Sequence, residues 1–175
     1  MTKSLPSIYG LSIENIKQKI DDVISLGYIK DEVIKMTKSS PFIYGLSIEN
    51  MKQKIDDIIS LGYSKDEVIK MTKSLPAIYG YSIENMKQKV EFYDSIGMHE
   101  LAVLDAKQLM QSTALSYARY EFYKEKGIEI NMDNYKKLFV SQKQFEKQYG
   151  ITKQELLEKY DYIKYMEEKN SGRVV

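Results

Sequence analysis

The sequence contains no cysteine and only one histidine, His99, among its 175 residues. A chain without cysteine forms no disulfide, offers no thiolate nucleophile and cannot ligate zinc through sulfur. His99 has Glu100 beside it but no other soft ligand nearby, so no zinc site is predicted. The sequence also shows no Ser/His/Asp arrangement, no phosphate-cradling glycine loop and no pair of inward carboxylates. We therefore expect no catalytic residue, no metal, no cofactor and no enzymatic activity.

Long hydrophobic runs are missing as well. No stretch approaches the roughly 20 apolar residues that a membrane-spanning helix needs. The N-terminal residues MTKSLPSIYG lack the apolar core of a secretory signal. These features predict a soluble, cytoplasmic protein without a membrane partner.

An excess of one charge sign is also lacking, since 26 Lys and Arg residues face 25 Asp and Glu residues for a net charge of +1. Residues 1–70 are balanced, residues 71–105 carry −2 and residues 106–175 carry +3. A domain that binds duplex nucleic acid usually has a clear basic excess or a basic face. Any such surface must therefore come from the arrangement of charges rather than from their sum.

Only three prolines occur, and Pro6, Pro41 and Pro76 fall at the same place in a segment that begins again every 35 residues. Residues 1–35 differ from residues 36–70 at five positions, and a third copy matches closely for its first 20 residues. Repetition with a period of this size is typical of a solenoid, in which stacked repeats bury one continuous core.

The middle copy shows what one repeat forms. Ser47 is a good N-cap for a long helix, and Gly62 is typical of the residue that ends one. Ser64 and Glu67 have the spacing of a capping box, which starts a second, short helix that ends before Pro76. The five residues from Pro76 to the next glycine predict one 3₁₀ turn. The apolar stripe of the long helix has helical spacing and comprises Ile48, Met51, Ile55, Ile58 and Ile59.

The sequence thus predicts an all-α fold, a right-handed-type α-solenoid of roughly 35-residue helical repeats, each with a long helix, a short helix and a 3₁₀ turn. The long helices are expected near residues 12–26, 47–61 and 82–96. Residues 98–104 predict a more apolar second helix in the third repeat. The predicted repeats are 1–35, 36–70, 71–105 and 106–130.

A degenerate capping unit, which solenoids need at their ends, is predicted for residues 131–169. It is expected to contain a short helix at 133–140, another at 141–149 with Gly150 as its C-cap, and a last helix that runs from the Thr152 capping box to about Glu168. All of these parts are predicted to form a single domain over residues 1–169, followed by a disordered tail at 170–175.

The chain contains the segments GYSKDEVIK, LPAIYG around Pro76 and Ile78, and SIENMKQKV, in which Lys89 precedes Val90, followed by Gly97. With these motifs the repeat resembles that of the mitochondrial transcription termination factor (MTERF) family. The resemblance is clear from residue 1 to about residue 127. It implies a curved α-solenoid of three-helix units, with double-stranded nucleic acid as the usual ligand of the family.

Lysines recur at fixed repeat positions, and equivalent residues of a solenoid line up on one face. Rows of lysine facing a groove could follow a phosphate backbone. A solvated helix face is the alternative for each of them, and Lys19 could also lay its stem over the apolar stripe. The candidate nucleic-acid-binding residues are Lys17, Lys19, Lys52, Lys54, Lys87, Lys89, Arg119, Lys124, Lys126, Lys136 and Lys137.

Fifteen tyrosines are a second candidate set, and Tyr9, Tyr44 and Tyr79 share one repeat position. Base stacking is one use for such side chains, but packing between repeats is the favoured interpretation.

Two functions stay open on the sequence. The first is binding of nucleic acid, independent of its sequence, along a repeat-built basic face. The second is a protein-interaction scaffold. Because the first two repeats are nearly identical, they would read the same base twice, so a base code is disfavoured. No oligomeric state is predicted.

Overall fold

A computed structural model describes residues 13–172, and over this range every regular element is helical. The α-helices are α1 (Ile13–Ile24), α2 (Lys30–Ser39), α3 (Ile48–Ile59), α4 (Lys65–Ser74), α5 (Ile83–Ser95), α6 (Leu101–Leu104), α7 (Thr113–Glu125), α8 (Gln142–Tyr149), α9 (Lys153–Lys159) and α10 (Tyr162–Asn170). The 3₁₀ turns are Pro41–Gly45, Pro76–Gly80, Ala106–Met110 and Tyr135–Phe139. The predicted all-α, helical-repeat fold is confirmed.

The described residues separate into two compact units. The first contains residues 13–87 and 102–107, and the second contains residues 88–101 and 108–172. The single domain predicted over residues 1–169, with its repeat boundaries, stays a prediction. The predicted turn at Pro6 and the last three residues of the predicted disordered tail lie outside the described residues.

Local signals define the elements of the first compact unit. Ser47 Oγ accepts from the Asn50 amide at 3.1 Å and so caps α3. Gly62 follows the helix with a φ of 104°, which glycine adopts without a steric penalty. Ser64 and Glu67 form the predicted capping box of α4, and α4 ends just before the second 3₁₀ turn. The bounds of α1, α2 and the first 3₁₀ turn all return 35 residues later along the chain.

A buried hydrogen-bond cluster links the repeats of this unit. The hydroxyl of Tyr28 is 2.6 Å from Thr72 Oγ1 and also hydrogen-bonds the hydroxyl of Tyr79. Burial raises the pKa of both tyrosines. Tyr79 therefore packs between repeats, as the favoured interpretation of the repeated tyrosines predicted.

The apolar stripe of α3 faces the core of the first unit. Met51, Ile55 and Ile58 are buried, with Ile55 only 4% exposed, whereas Ile20, its equivalent on α1, is half-buried. The substitution Ile55→Ala should lower the free energy of unfolding by about 2–5 kcal/mol, because most of a packed side chain is removed and a cavity is left. Urea denaturation measures the loss. Ile20→Ala is the matched control and should cost clearly less, and equal losses would contradict the difference in burial.

Two of the predicted helices are shorter in the structure than expected. The helix predicted for residues 98–104 is limited to α6, because Gly97 has a φ of 68° and the Met98 amide still donates back to the Tyr93 carbonyl. The segment predicted as a helix at residues 133–140 is the 3₁₀ turn Tyr135–Phe139. It has no room to extend, because Ser141 already caps α8 by accepting from the Gln144 amide.

The prediction of one last helix is wrong, because the structure has two helices in its place. α9 ends at Lys159, and Asp161 starts α10 by accepting from the amides of Ile163 and Lys164 at 2.9 and 3.2 Å. An aspartate at this position competes with helix continuation because its carboxylate satisfies the first amides of a new helix. The Tyr160 hydroxyl donates to Glu125 Oε2 at 2.5 Å and anchors the break to α7.

Aromatic side chains form much of the core of the second unit. The Phe145 side chain on α8 is fully buried, and its ring centroid lies 5.3 Å from that of Phe122 and 4.9 Å from that of Tyr149. These distances suit edge-on packing of rings.

Within residues 13–172, no helix has the length and apolar character needed to cross a bilayer.

Candidate functional site

Six of the predicted lysines form two rows according to their place on the helices α1, α3 and α5. Lys17, Lys52 and Lys87 are the fifth residues of α1, α3 and α5, and all three are exposed. We call them the exposed row, and all of it lies in the first compact unit. The other lysines of each pair come two residues later, which is about 200° around an α-helix. The two rows therefore point in different directions.

The lysines at the seventh position of α1 and α3 donate hydrogen bonds to backbone carbonyls of the protein itself. Lys19 Nζ donates to the carbonyl of Leu46, and Lys54 Nζ donates to the carbonyl of Tyr81 at 2.7 Å. Leu46 and Tyr81 each come directly after a 3₁₀ turn. Burial lowers the pKa of Lys19, and the carboxylate of Asp22 opposes this effect. We call such a bond, from a cation at the seventh helix position to the residue after the next 3₁₀ turn, a clasp.

Lys89 occupies the same helix position on α5 and is fully buried. Its Nζ donates to Ser116 Oγ at 3.2 Å, and Ser116 Oγ donates in turn to the Ser112 carbonyl at 2.9 Å. Burial lowers the pKa of Lys89 to about 7. No carboxylate of the described residues lies within 4.0 Å of this ammonium to offset its desolvation.

Arg119 is the corresponding residue of α7 and is also buried. Its Nη1 donates to the carbonyls of Leu138 and Val140 at 2.9 and 2.7 Å. Val140 directly follows the 3₁₀ turn Tyr135–Phe139. Its Nη2 donates to Gln142 Oε1 at 3.1 Å, and the guanidinium lies 4.9 Å from the centroid of the Phe145 ring. Burial lowers the pKa of Arg119. Arg119 therefore forms a clasp.

Burial decides which predicted residues can present their charge at the surface. Lys89 is 0% exposed and Arg119 is 2% exposed, so neither presents a charged group to a ligand outside the protein. The other predicted residues of the second unit, Lys124, Lys126, Lys136 and Lys137, are exposed. Contact of any of the predicted residues with nucleic acid stays a prediction.

Carboxylates accompany the exposed row. Asp21 and Asp56 are exposed and lie four residues beyond Lys17 and Lys52, a spacing that makes side chains neighbours on a helix. Each of these aspartates is followed in sequence by a second aspartate, whose carboxylate accepts a hydrogen bond from a glutamine. Gln53 Nε2, for example, donates to the aspartate that follows Asp56 at 2.9 Å. These negative charges weaken the attraction of the row for a polyanion without burying its ammoniums.

A tyrosine cluster in the second unit has anionic surroundings. The rings of Tyr117 and Tyr165 are stacked with centroids 4.7 Å apart, and the Tyr162 ring lies 5.4 Å from that of Tyr117. Burial raises the pKa of Tyr117 to about 12, with nearby carboxylates, those of Glu121 and Glu168 among them, adding to the effect. The same carboxylates would repel the phosphates of a strand whose bases stacked on these rings, so packing between α7 and α10 is the better interpretation.

His99 lies on the wall of an open cavity of about 320 Å³. Its Nδ1 is 2.5 Å from the Asp94 carboxylate, and Met98, Glu100 and Met132 complete most of the lining. Within the part of the chain that the structure describes, no three His, Asp or Glu side chains form a group that could hold a metal ion.

A comparison with protein-family models finds a match to the model described as mTERF over residues 1–146. The chain belongs to the mTERF family. The mTERF match takes in all the predicted nucleic-acid-binding residues and ends within α8. The comparison with curated proteins finds no match for this chain.

Sequence reasoning grouped both lysines of each pair together and so missed the clasps. Two signals in the sequence could have revealed them. Residues two apart do not share a helix face, which separates Lys17 from Lys19. In addition, the echo of residues 91–93 in residues 121–123 places Arg119 opposite Lys89, so a cation recurs at this position even where the rest of the repeat has diverged.

Proposed function

We propose that this chain binds double-stranded nucleic acid, duplex DNA in particular, by its phosphate backbone and that the exposed row supplies the contacts. The observation that carries the proposal is the recurrence of an exposed lysine at the fifth position of α1, α3 and α5, in a member of the mTERF family. Regularly placed ammoniums gain affinity from phosphates by releasing condensed counterions, and this gain is independent of base sequence.

The chemistry of the row supports a grip on the backbone rather than a base code. All three members are lysines, which act as mobile point charges, whereas the rigid fork of arginine is better suited to a bidentate contact with a base edge. Lys17 and Lys52 also have nearly identical neighbours in sequence, NIKQKID and NMKQKID. Two lysines with the same neighbours are suited to binding the same chemical group twice. The phosphate backbone presents the same group at every nucleotide, whereas the bases differ along the strand.

Four exposed lysines of the second unit are further candidates for the same contact. Lys136 and Lys137 lie on the 3₁₀ turn Tyr135–Phe139. Lys126 Nζ is 5.7 Å from the Phe122 ring centroid, and Lys124 Nζ is 3.6 Å from a carboxylate oxygen of Glu121. An exposed pair of this kind is weak and exchanges readily, so Lys124 is free to meet a phosphate. Lys89 and Arg119 are excluded from the proposed contact by their burial.

Replacement of Lys17, Lys52 and Lys87 together by glutamine should weaken duplex binding by a similar factor for every sequence tested. The logarithm of the affinity should also fall less steeply with salt, by about 0.9 for each phosphate of B-form DNA that the variant no longer neutralises. Fluorescence anisotropy with labelled duplexes at two salt concentrations measures both effects. Helicity and melting temperature should barely change, because exposed lysines contribute little to stability.

The matched control removes the same amount of charge elsewhere. Lys30, Lys65 and Lys107 are exposed lysines of the same compact unit, and their joint replacement by glutamine should leave the salt dependence close to that of the parent. Equal losses in the two triple variants would show that only overall charge matters. If the parent binds no duplex even at low salt, the protein-scaffold function, which suits the net charge of +1, takes the place of the proposal.

A further inference from the structure

The clasps join consecutive long helices at one fixed place. Lys54, in the middle of α3, holds the carbonyl of Tyr81, and Tyr81 directly precedes Ser82 at the start of α5. Lys19, in the middle of α1, holds the carbonyl of Leu46, and Leu46 directly precedes the N-cap of α3. Each clasp thus connects one long helix to the first turn of the next.

The start of α5 shows what such a bond fixes. Ser82 Oγ accepts from the Asn85 amide at 3.4 Å, so Ser82 lies at the cap of the helix. Lys87 follows five residues later, which is only about 7–8 Å along an α-helix at 1.5 Å per residue. A helix is rigid over so short a distance. A bond that holds Tyr81 therefore also fixes the origin of the Lys87 side chain.

We propose that Lys19 and Lys54 are positioning residues for the exposed row. Each sets where the next long helix begins and so where the next lysine of the row, Lys52 or Lys87, is presented. The effect on binding rests on the proposed function, whereas the effect on helix placement does not depend on any ligand. Arg119 supports the generality of the device, because it forms the equivalent bond to Val140 within the second compact unit.

A lysine suits this task on physical grounds. Its ammonium forms a charge-assisted bond to a carbonyl, which is roughly twice as strong as a neutral one. Its aliphatic stem covers apolar surface on the way, which accounts for the partial burial of Lys19 and Lys54. Methionine keeps a stem of similar length but has no donor, so Lys54→Met removes the clasp and retains most of the packing.

The absence of native cysteine allows the geometric test to be made with two spin labels. Asn50→Cys on α3 and Asn85→Cys on α5 are exposed, equivalent positions of the first compact unit. The distance distribution between the labels is measured by pulsed electron paramagnetic resonance. Lys54→Met should shift or broaden this distribution, and Lys54→Arg, which keeps a donor, should restore it. Lys65→Met, an exposed lysine of the same unit, is the matched control and should leave the distribution unchanged.

The binding test asks whether Lys54 acts through the row. Lys54→Met should weaken duplex binding about threefold to tenfold in the parent, but less than about twofold when Lys17, Lys52 and Lys87 are already glutamine. Such non-additivity is expected for residues that act through one another. A direct phosphate contact by Lys54 would instead give the same loss in both backgrounds.

Each outcome supports or overturns the inference. A changed label distance together with a non-additive loss of binding supports it. A distance distribution identical to that of Lys65→Met overturns it, whatever the binding shows. An additive loss overturns the positioning role and makes Lys54 a contact. If the parent binds no duplex, the proposed function fails, and the label distances alone then decide whether Lys54 positions α5. Circular dichroism of every variant confirms that it is folded.

Discussion

Replacement of Lys89 by methionine should raise the free energy of unfolding, and the gain should be largest in acid. Lys89 is fully buried, and among the described residues its ammonium hydrogen-bonds one hydroxyl oxygen, that of Ser116, and has no carboxylate within 4.0 Å. A buried charge without a counter-charge costs more in desolvation than a single hydrogen bond returns, and apolar replacement of such groups is often stabilising. Methionine has a similar length and no charge to desolvate.

The pH dependence follows from the lowered pKa. The pKa of Lys89 is about 7 in the folded protein, against an ordinary value of 10.5. Between these two values the unfolded chain holds the proton and the folded chain does not, so the stability of the parent rises with pH. Below about pH 7 both states are protonated and the full penalty applies. A shift of this size corresponds to about 3–5 kcal/mol.

Urea denaturation of the parent and of Lys89→Met from pH 5.5 to 10 would therefore show curves that converge as pH rises. Because the two proteins differ only at residue 89, the difference between the two curves measures the contribution of Lys89. Lys87→Met is the matched control, because this exposed lysine lies two residues earlier on the same helix. Parallel curves for the parent and Lys89→Met would mean that Lys89 titrates as an exposed lysine does.

Substitution by methionine at the equivalent position of α7 should have the opposite effect and lower the free energy of unfolding. Arg119→Met should lower the free energy of unfolding by about 2–4 kcal/mol, because three hydrogen bonds from a charged donor are removed and one buried and two half-buried acceptors lose their partner. The acceptors are the carbonyls of Leu138 and Val140 and the side chain of Gln142. The loss of stacking against Phe145 adds to the cost.

Arg119→Lys separates the contributions of charge and geometry. Lysine retains the positive charge but not the planar fork that reaches two carbonyls and an amide oxygen together, so it should recover only part of the loss. Chemical denaturation at pH 7 measures all three proteins, and near-ultraviolet circular dichroism reports the packing of Phe145 and its neighbours. A stability of Arg119→Met equal to that of the parent would show that desolvation of the guanidinium cancels its hydrogen bonds.

Much of the local structure could be predicted from the sequence because local chemistry decides it. Ser47, Gly62 and the Ser64 capping box act on backbone groups within a few residues, and their helices begin and end where these signals indicate. The apolar stripe through Ile55 is set by helical spacing and lies in the core. The break at Asp161 was missed because the helical pattern runs on through it, and the aspartate's capping bonds outweigh that pattern.

The candidate site was only partly predictable, because the use of a charged side chain depends on what surrounds it. The sequence by itself determined the all-α helical-repeat fold, the membership of a recognisable repeat family and the regular placement of lysines. Only the tertiary structure decided that Lys17 and Lys52 face solvent, that Lys19 and Lys54 hold the next helix, and that Lys89 and Arg119 are buried. The reason is that periodicity fixes direction around one helix, whereas burial and hydrogen-bond partners come from segments about 20 to 30 residues away, whose positions depend on packing.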